Sequence, residues 1–201
     1  MIITMTSFKG GVGKSTSAIH LATYIQQQRG SVLLVDGDDN RSCLSWAEGN
    51  HLPFKVVDEK AAPKYYRSYE NVIIDTAARP DKNELEALAE GSDLLIVPCT
   101  PDSLSIKALS LTVKALKEIG TNKYRILLTI VPPKSTKDGD ETREMLTEAG
   151  LSLFATGIRN AIAFKRAALQ GIPVFEVKDR RAKDAWSDYV AVGEEILNEY
   201  Q

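Results

Sequence analysis

The stretch Phe8-Lys9-Gly10-Gly11-Val12-Gly13-Lys14-Ser15-Thr16 decides the fold predicted for this chain. An apolar segment, Met1 to Ser7, comes before it and has the composition of a buried strand. A helix-compatible run with an apolar stripe, Ser15 to Gln28, follows it. A strand, a glycine-rich turn, Gly-Lys-Ser and a helix, in that order, are typical of a phosphate-binding loop.

Each residue type in this stretch suits phosphate chemistry. Glycines allow successive backbone N–H groups to turn inward around a phosphate, and the start of a helix adds unpaired N–H groups and a positive dipole end. Lys14 is placed to bridge the β- and γ-phosphates of ATP, and the Ser15 hydroxyl is a suitable ligand for Mg²⁺. We therefore predict that ATP and Mg²⁺ bind here. The predicted nucleotide contacts are Gly10, Gly11, Val12, Gly13, Lys14, Ser15 and Thr16.

Length and composition are those of an ordinary globular domain. A chain of 201 residues is long enough for one three-layer domain, which we expect to span residues 1–201. The formal net charge of −2 indicates no overall affinity for nucleic acid or membrane, so such a role requires a local patch. Cys43 and Cys99 stand apart in sequence, which favours free thiols in a reducing cytosol over a metal site or a disulfide. We expect neither a signal peptide nor a membrane span.

Acidic residues lie at or directly after the carboxyl ends of two predicted strands. Ser31 to Asp36 has the pattern of a buried parallel strand and leads directly to Asp38, while Asn71 to Thr76 is a similar strand that contains Asp75. In open α/β sheets, ligands bind at the carboxyl ends of the strands. Clustered carboxylates are costly unless a cation or an ordered water uses them. We therefore expect these acids to lie beside the bound phosphates.

Strands and helices alternate along the whole chain, which predicts one doubly wound α/β domain with a mostly parallel sheet and helices on both faces. The remaining predicted strands are Phe54–Val57, Asp93–Pro98, Tyr124–Val131 and Leu151–Phe154. The remaining predicted helices are Ser42–Glu48, Leu85–Ala89, Ser103–Ile119 with Ser103 as its cap, Asp138–Ala149, Ala163–Gln170 and Ala182–Tyr200. Residues 58–70 carry three tyrosines and favour a packed helix over a nucleic-acid contact. His20 is expected to be a packed or solvated helix residue rather than a ligand.

Two details of the loop point to a particular family. The general pattern G-x-x-x-x-G-K-[ST] has glycine where this chain has Phe8, and a second lysine, Lys9, stands at the front of the loop. The form Lys-Gly-Gly-Val-Gly-Lys-Ser-Thr resembles the deviant Walker A box of the ParA/MinD family of ATPases, and most closely that of small ParA-type partition ATPases. The resemblance covers nearly the whole length and is most specific in residues 1–40.

This resemblance implies roles for individual residues. It implies that two protomers sandwich two ATP molecules, with Lys9 of each protomer reaching the partner's nucleotide, and that Asp38 orients the attacking water. The implied catalytic residues are Lys9, Lys14 and Asp38. The implied metal site consists of Ser15, Asp36 and Asp75. Ile130 to Pro133 would form a wall beside the base. The chain departs from the family pattern where Asp39-Asn40 replaces Pro-Gln and where Ala77-Ala78 replaces Pro-Pro.

What an ATPase of this family acts on depends on what its surface binds. Residues 184–201 contain five acidic residues and no Lys or Arg, which does not suit a membrane-binding helix. The two cysteines do not follow the pattern of an iron–sulfur reductase. We therefore expect a bacterial, cytoplasmic, nucleoid-associated ATPase that partitions or positions DNA or another large cargo. Its expected partners are a second copy in the ATP state, nonspecific DNA and a cargo-bound stimulating protein, but no membrane. A metabolic ATP-dependent ligase or small-molecule kinase of the same superfamily is the alternative.

Basic residues are concentrated in one segment. From Arg159 to Lys183 the chain has seven Lys or Arg and two acidic residues, seven minus two, or +5, so the rest of the chain carries −7. A solvated surface is one interpretation, and a nonspecific phosphate-binding patch for DNA is the other. The residues predicted to contact DNA are Lys178, Arg180, Arg181 and Lys183.

Overall fold

A six-stranded, entirely parallel sheet forms the centre of the molecule in a computed structural model that describes residues 1–200. The predicted α/β class is confirmed. The strands are β1 (Ile2–Ser7), β2 (Val32–Gly37), β3 (Lys55–Asp58), β4 (Asn71–Ala78), β5 (Leu94–Cys99) and β6 (Tyr124–Leu128). The helices are α1 (Lys14–Arg29), α2 (Ser42–Ala47), α3 (Lys82–Gly91), α4 (Ser103–Glu118), α5 (Asp138–Glu148), α6 (Ile162–Gln170) and α7 (Ala182–Glu199). No helix within these residues combines the length and apolar character needed to cross a membrane.

The order of the strands brings the predicted functional loops together. The sheet runs β3-β2-β4-β1-β5-β6, so β4 lies between β1 and β2. In the register of β2 and β4, Asp36 is the direct partner of Asp75. Because all strands are parallel, the loops that follow β1, β2 and β4 meet at one edge of the sheet.

Helices cover both faces of the sheet with their apolar sides. Strand β5 alternates between two cores: Leu94 and Ile96 belong to the core that includes residues of α1 and α7, whereas Leu95 and Val97 belong to the core beneath α3 and α4. This burial on both sides explains why the strands have nearly continuous apolar sequences.

Helix α1 packs closely along α7. At Gly193 of α7, an added Cβ would overlap the ring of Tyr24 in α1, so glycine at this position allows the two helices to approach closely. The approach buries one side of α1 beneath α7 and fixes the helix whose first residue is Lys14.

His20 is a core residue of α1, which confirms that it is packed. Its ring is fully buried and stacks on Tyr189 with 4.9 Å between the ring centroids. Nδ1 donates to the carbonyl oxygen of Thr16 at 2.7 Å, and Nε2 accepts the N–H of Val174 at 3.1 Å. One ring nitrogen must therefore carry a proton and the other must not.

Several boundaries differ from the predictions for physical reasons. Residues 58–70 form no α-helix but two short 3-10 turns, Ala62–Lys64 and Tyr66–Ser68; Tyr65 and Tyr69 pack against the sheet, while Tyr66 is exposed. The segment contains Pro63, and proline is unfavourable inside a helix.

Strand β6 and helix α4 also depart from their predicted ends. Strand β6 stops at Leu128 rather than Val131 because Ile130 adopts a left-handed conformation, with φ of 52°. The predicted strand Leu151–Phe154 is reduced to an isolated bridge between Leu153 and Ile126. Asp102, not Ser103, caps α4, since its carboxylate accepts the N–H of Ser105.

The buried imidazole of His20 predicts loss of stability in mild acid. Burial lowers its pKa to about 4, against 6.5 in an unfolded chain. Between these values the unfolded chain binds a proton that the folded chain does not, so His20 should cost about 2 kcal/mol of stability at pH 5 and almost nothing above pH 7. Urea unfolding of the wild type and His20→Gln at pH 5 to 7.5 measures this contribution. The difference between the two proteins should change by that amount across the range; a constant difference would contradict the prediction.

Candidate phosphate-binding site

The loop between β1 and α1 is shaped to present backbone N–H groups to an anion. Gly11 and Gly13 have φ of 76° and 85°, a left-handed conformation that favours glycine. The N–H groups of Gly10 to Gly13 have no hydrogen-bond acceptor within residues 1–200. Successive unpaired N–H groups in such a turn form an anion-binding concavity.

Lys14 places a positive charge inside this concavity. Its side chain is buried, with the residue only 6% exposed, and it forms no ion pair with an acidic residue among those described. The carboxylate of Asp75 lies near enough to interact with this charge, since Lys14 opposes the rise in the pKa of Asp75. A buried ammonium is best satisfied by anionic groups that accept its hydrogen bonds, and a phosphate held by the loop N–H groups would supply them.

Thr129, directly after β6, supports the loop from below. Its buried hydroxyl donates to the carbonyl oxygen of Val12 at 2.7 Å. The bond ties the loop to the residue that follows β6, and Thr129 itself lines the cavity beside the loop glycines. Sequence patterns gave no indication of this residue, since it is distant in the chain and belongs to no motif.

Asp75 is the most deeply buried acid at this edge of the sheet. Its Oδ1 has no hydrogen-bond partner within residues 1–200. Burial raises the pKa of Asp75 to about 6, against the opposing effects of the Ser15 hydroxyl, the Cys43 thiol and Lys14. An unpaired carboxylate oxygen beside a serine hydroxyl is a donor set that suits Mg²⁺, directly or through water. The residues present therefore fit the predicted metal.

Asp36 and Asp38 have different tasks in the loop after β2. The two carboxylate oxygens of Asp36 accept the N–H groups of Asp38 and Leu44, at 3.2 and 2.9 Å, so Asp36 holds the loop in place. Oδ1 of Asp38 accepts both the backbone and the side-chain N–H of Asn40, while its Oδ2 accepts no hydrogen bond from residues 1–200. Asn40, which departs from the family pattern, therefore fixes Asp38 at the cavity wall.

Lys9 forms a local ion pair in the isolated chain. Its Nζ lies 3.0 Å from Oδ1 of Asp102. The hydrogen bond from the Thr100 hydroxyl, with those from the Ser105 N–H and Lys9, lowers the pKa of Asp102 to about 2. Both partners are partly exposed, so the pair contributes little to stability and can open at low cost.

The loop forms one end of a cavity of about 1080 Å³. Of the predicted base-side segment, only Ile130 lines this cavity, because the chain turns away at its left-handed residue; Val131 to Pro133 do not. Instead, Asn160 and Phe164 extend the wall at the start of α6. Neither belongs to a recognisable motif, and the sequence analysis missed both.

The predicted DNA-contacting residues lie outside the cavity. Lys178, Arg180, Arg181 and Lys183 are exposed, and none forms an ion pair with an acidic residue in the described part of the chain. Arg159 and Arg166 from the same segment differ, because they pair with Asp188 and Asp179, at 2.8 and 2.5 Å. Among the seven basic residues of this segment, Lys165 and the four predicted DNA-contacting residues are exposed and form no ion pair with a described residue.

Comparison with known proteins decides the family. A model of the CobQ/CobB/MinD/ParA nucleotide binding domain matches residues 3–174. The chain belongs to this family. A curated relative, maintenance of carboxysome distribution protein A of Gloeobacter kilaueensis, is 34% identical over 209 residues, which cover 100% of this chain and 95% of the relative.

Solved structures of the CobQ/CobB/MinD/ParA family share the fold. The MinC:MinD cell division protein complex of Aquifex aeolicus matches with a TM-score of 0.81 at 15% identity, over 98% of this chain and 96% of the other. A plasmid partition protein of Borrelia burgdorferi B31 bound to AMPPNP matches with a TM-score of 0.75 at 20% identity, over 98% of both chains. The resemblance seen in the sequence is confirmed: this is a nucleotide-binding protein related to ParA-type positioning ATPases.

The support that Thr129 gives to the loop predicts weaker nucleotide binding in Thr129→Val. Valine keeps the shape but removes the hydrogen bond to Val12, worth about 1 kcal/mol, or roughly fivefold in affinity. Fluorescent-nucleotide titration measures the change. Thr23→Val is the matched control, because Thr23 is buried in the same way and its hydroxyl donates only to Ile19 within α1. Equal affinity in the two variants would contradict the prediction.

Proposed function

We propose that this protein is a Mg²⁺-ATP-dependent, dimerising ATPase switch that partitions or positions DNA or another large cargo through ATP-dependent, nonspecific DNA binding. Its family membership and the carboxysome-distribution relative support the positioning role. The observation that carries the proposal is the pair of lysines at the loop. Lys14 is buried and forms no ion pair within residues 1–200, and Lys9 stands at the mouth, held only by a partly exposed carboxylate.

The residues around the loop have distinct roles in hydrolysis. Lys14 and the loop N–H groups hold the β- and γ-phosphates. Asp38, with one oxygen fixed by Asn40, keeps Oδ2 for the water that attacks the γ-phosphorus. Ser15 and Asp75 would hold Mg²⁺, and Asp36 keeps the loop in position beside them. When bound, the metal offsets negative charge on the phosphates.

Lys9 gives the switch its dependence on a second copy. In the isolated chain it pairs with Asp102, and in the dimer it reaches the partner's nucleotide instead. A cation supplied by a partner to the transferring phosphoryl group is worth on the order of 10³–10⁵ in rate. ATP therefore favours the dimer, and hydrolysis ends it.

Substitution of Lys9 and Asp38 should separate dimer formation from hydrolysis. Lys9→Ala should bind ATP but neither dimerise nor hydrolyse it, because the crossing cation is absent. Asp38→Ala should accumulate an ATP-bound dimer that turns over slowly, because the water is not oriented. Size-exclusion chromatography with Mg²⁺-ATP, together with phosphate release, measures both effects, and Lys107→Ala on the exposed side of α4 is the control. Normal dimerisation and turnover by Lys9→Ala would rule out the crossing lysine.

The basic segment 178–183 supplies the proposed DNA contacts. One protomer offers two or three phosphate contacts from its exposed cations, and a dimer doubles this number on one duplex. About 4–6 contacts give a fall of log affinity with log salt of about −4 to −5. Because only the dimer has enough contacts, DNA binding follows the nucleotide state.

Charge reversal in this segment tests DNA binding. Arg180→Glu/Arg181→Glu should abolish ATP-dependent binding to DNA of any sequence, while nucleotide binding is unchanged. Gel-shift titration at two salt concentrations measures it, with Asp38→Ala as the background that retains the dimer. Lys60→Glu/Arg67→Glu is the matched control, because these exposed cations lie in the tyrosine-containing segment 58–70. The assignment would be refuted if Arg180→Glu/Arg181→Glu left the gel shift unchanged. It would also be refuted if only Lys60→Glu/Arg67→Glu abolished the gel shift. ATP turnover stimulated by small metabolites rather than by DNA would instead favour the ligase or kinase.

A further inference from the structure

The thiol of Cys43 lies among the residues of the metal site, although no motif includes it. Cys43 is fully buried in the first turn of α2. Its Sγ is 3.3 Å from Oδ2 of Asp75 and 3.9 Å from the carbonyl oxygen of Ser15. Both residues belong to the proposed Mg²⁺ site. A thiol is a weak hydrogen-bond donor, and here a carboxylate is its acceptor.

Because of this contact, the two carboxylate oxygens of Asp75 have different surroundings. Oδ2 accepts from the thiol, whereas Oδ1 has no partner within residues 1–200. A carboxylate held at one oxygen cannot rotate freely, so the other keeps its direction. Groups that orient a metal's ligands in this way act on affinity and geometry without touching the metal.

The neighbouring residue extends the arrangement to the second acid. The N–H of Leu44 donates to Oδ2 of Asp36 at 2.9 Å. Consecutive residues of α2 thus contact the paired acids of β2 and β4, Asp36 and Asp75. The first turn of α2 follows Asp38 and Asn40 directly, so it connects the metal site to the loop that holds the proposed water-orienting carboxylate.

We propose that Cys43 is a positioning residue for Mg²⁺: its thiol fixes Asp75 through Oδ2 and thereby directs Oδ1 towards the metal or its water. This inference rests on the proposed Mg²⁺-ATP function. It assigns a specific task to a cysteine that the sequence indicates only as a free thiol. It also makes α2 a support of the metal site.

Two substitutions separate the hydrogen bond from the space that the side chain fills. Cys43→Val adds about one methyl group and has no donor, whereas Cys43→Ser is slightly smaller than the wild type and keeps a donor. We expect Cys43→Val to weaken Mg²⁺ binding to the nucleotide complex about tenfold. Cys43→Ser should remain closer to the wild type. Affinity for a fluorescent ATP analogue in EDTA should be the same in all variants, because no metal is present.

The measurement is a Mg²⁺ titration of the nucleotide-bound protein by fluorescence anisotropy, repeated with Mn²⁺ and electron paramagnetic resonance, which counts bound metal directly. Cys99→Val is the matched control: Cys99 is also buried, but its thiol contacts Thr100 and Ser105 rather than an acid. Thermal unfolding establishes that each variant is folded, and Cys43→Ala replaces Cys43→Val if the latter is not.

The outcomes are distinguishable. Weaker metal binding in Cys43→Val alone supports the inference. Unchanged metal affinity in Cys43→Val overturns it, and so does an equal loss in Cys43→Val and Cys43→Ser, because the hydrogen bond is then irrelevant. A parallel loss in EDTA overturns it as well, since the effect is then on the nucleotide loop. A wild-type protein that binds nucleotide without any effect of Mg²⁺ would instead refute the proposed function, and this inference with it.

Discussion

The insertion of β4 between β1 and β2 is the constraint on which the site depends. This order makes the carboxyl ends of the three strands neighbours, and the parallel register places Asp36 beside Asp75. The loop that follows β1 then faces both acids across distances that side chains can span. A slip of one residue in β4 would turn Asp75 to the opposite face of the sheet. The apolar packing on both faces, which makes such a slip costly, therefore also brings together the residues of the proposed phosphate and metal site.

Two charged groups at this edge have incomplete partners in the isolated chain. Lys14 is buried without an ion pair, and Asp75 has an oxygen without a partner within residues 1–200. For Asp75, burial outweighs the attraction of Lys14. The phosphates and the cation proposed for this site would supply the partners that both groups lack. This arrangement explains why the loop, the helix start and the acids form one unit rather than three separate features.

The sequence predicted the fold and the loop well because both have local signatures. Buried strands, amphipathic helices and the glycine-lysine spacing can each be recognised within a short window. The contacts that refine the site cannot. Thr129 meets Val12 across 117 residues, Lys9 meets Asp102 across 93, and Cys43 meets Asp75 across 32. Such contacts depend on the order of the strands and the path of the loops, and neither can be recognised in a single sequence by local patterns. The helix predicted for residues 58–70 is absent for a more local reason, since Pro63 is unfavourable inside a helix.

The position of His20 has a further consequence for experiment. Its two nitrogens are hydrogen-bonded to different segments: one to Thr16, in the first turn of α1, and the other to Val174, which precedes the exposed cations. Burial keeps the ring uncharged at neutral pH, and the two hydrogen bonds fix its tautomer. Its nitrogen resonances can therefore serve as an intrinsic spectroscopic probe. A shift at Nδ1 reports a change in the loop, a shift at Nε2 reports movement of the C-terminal segment, and neither requires a label on the surface.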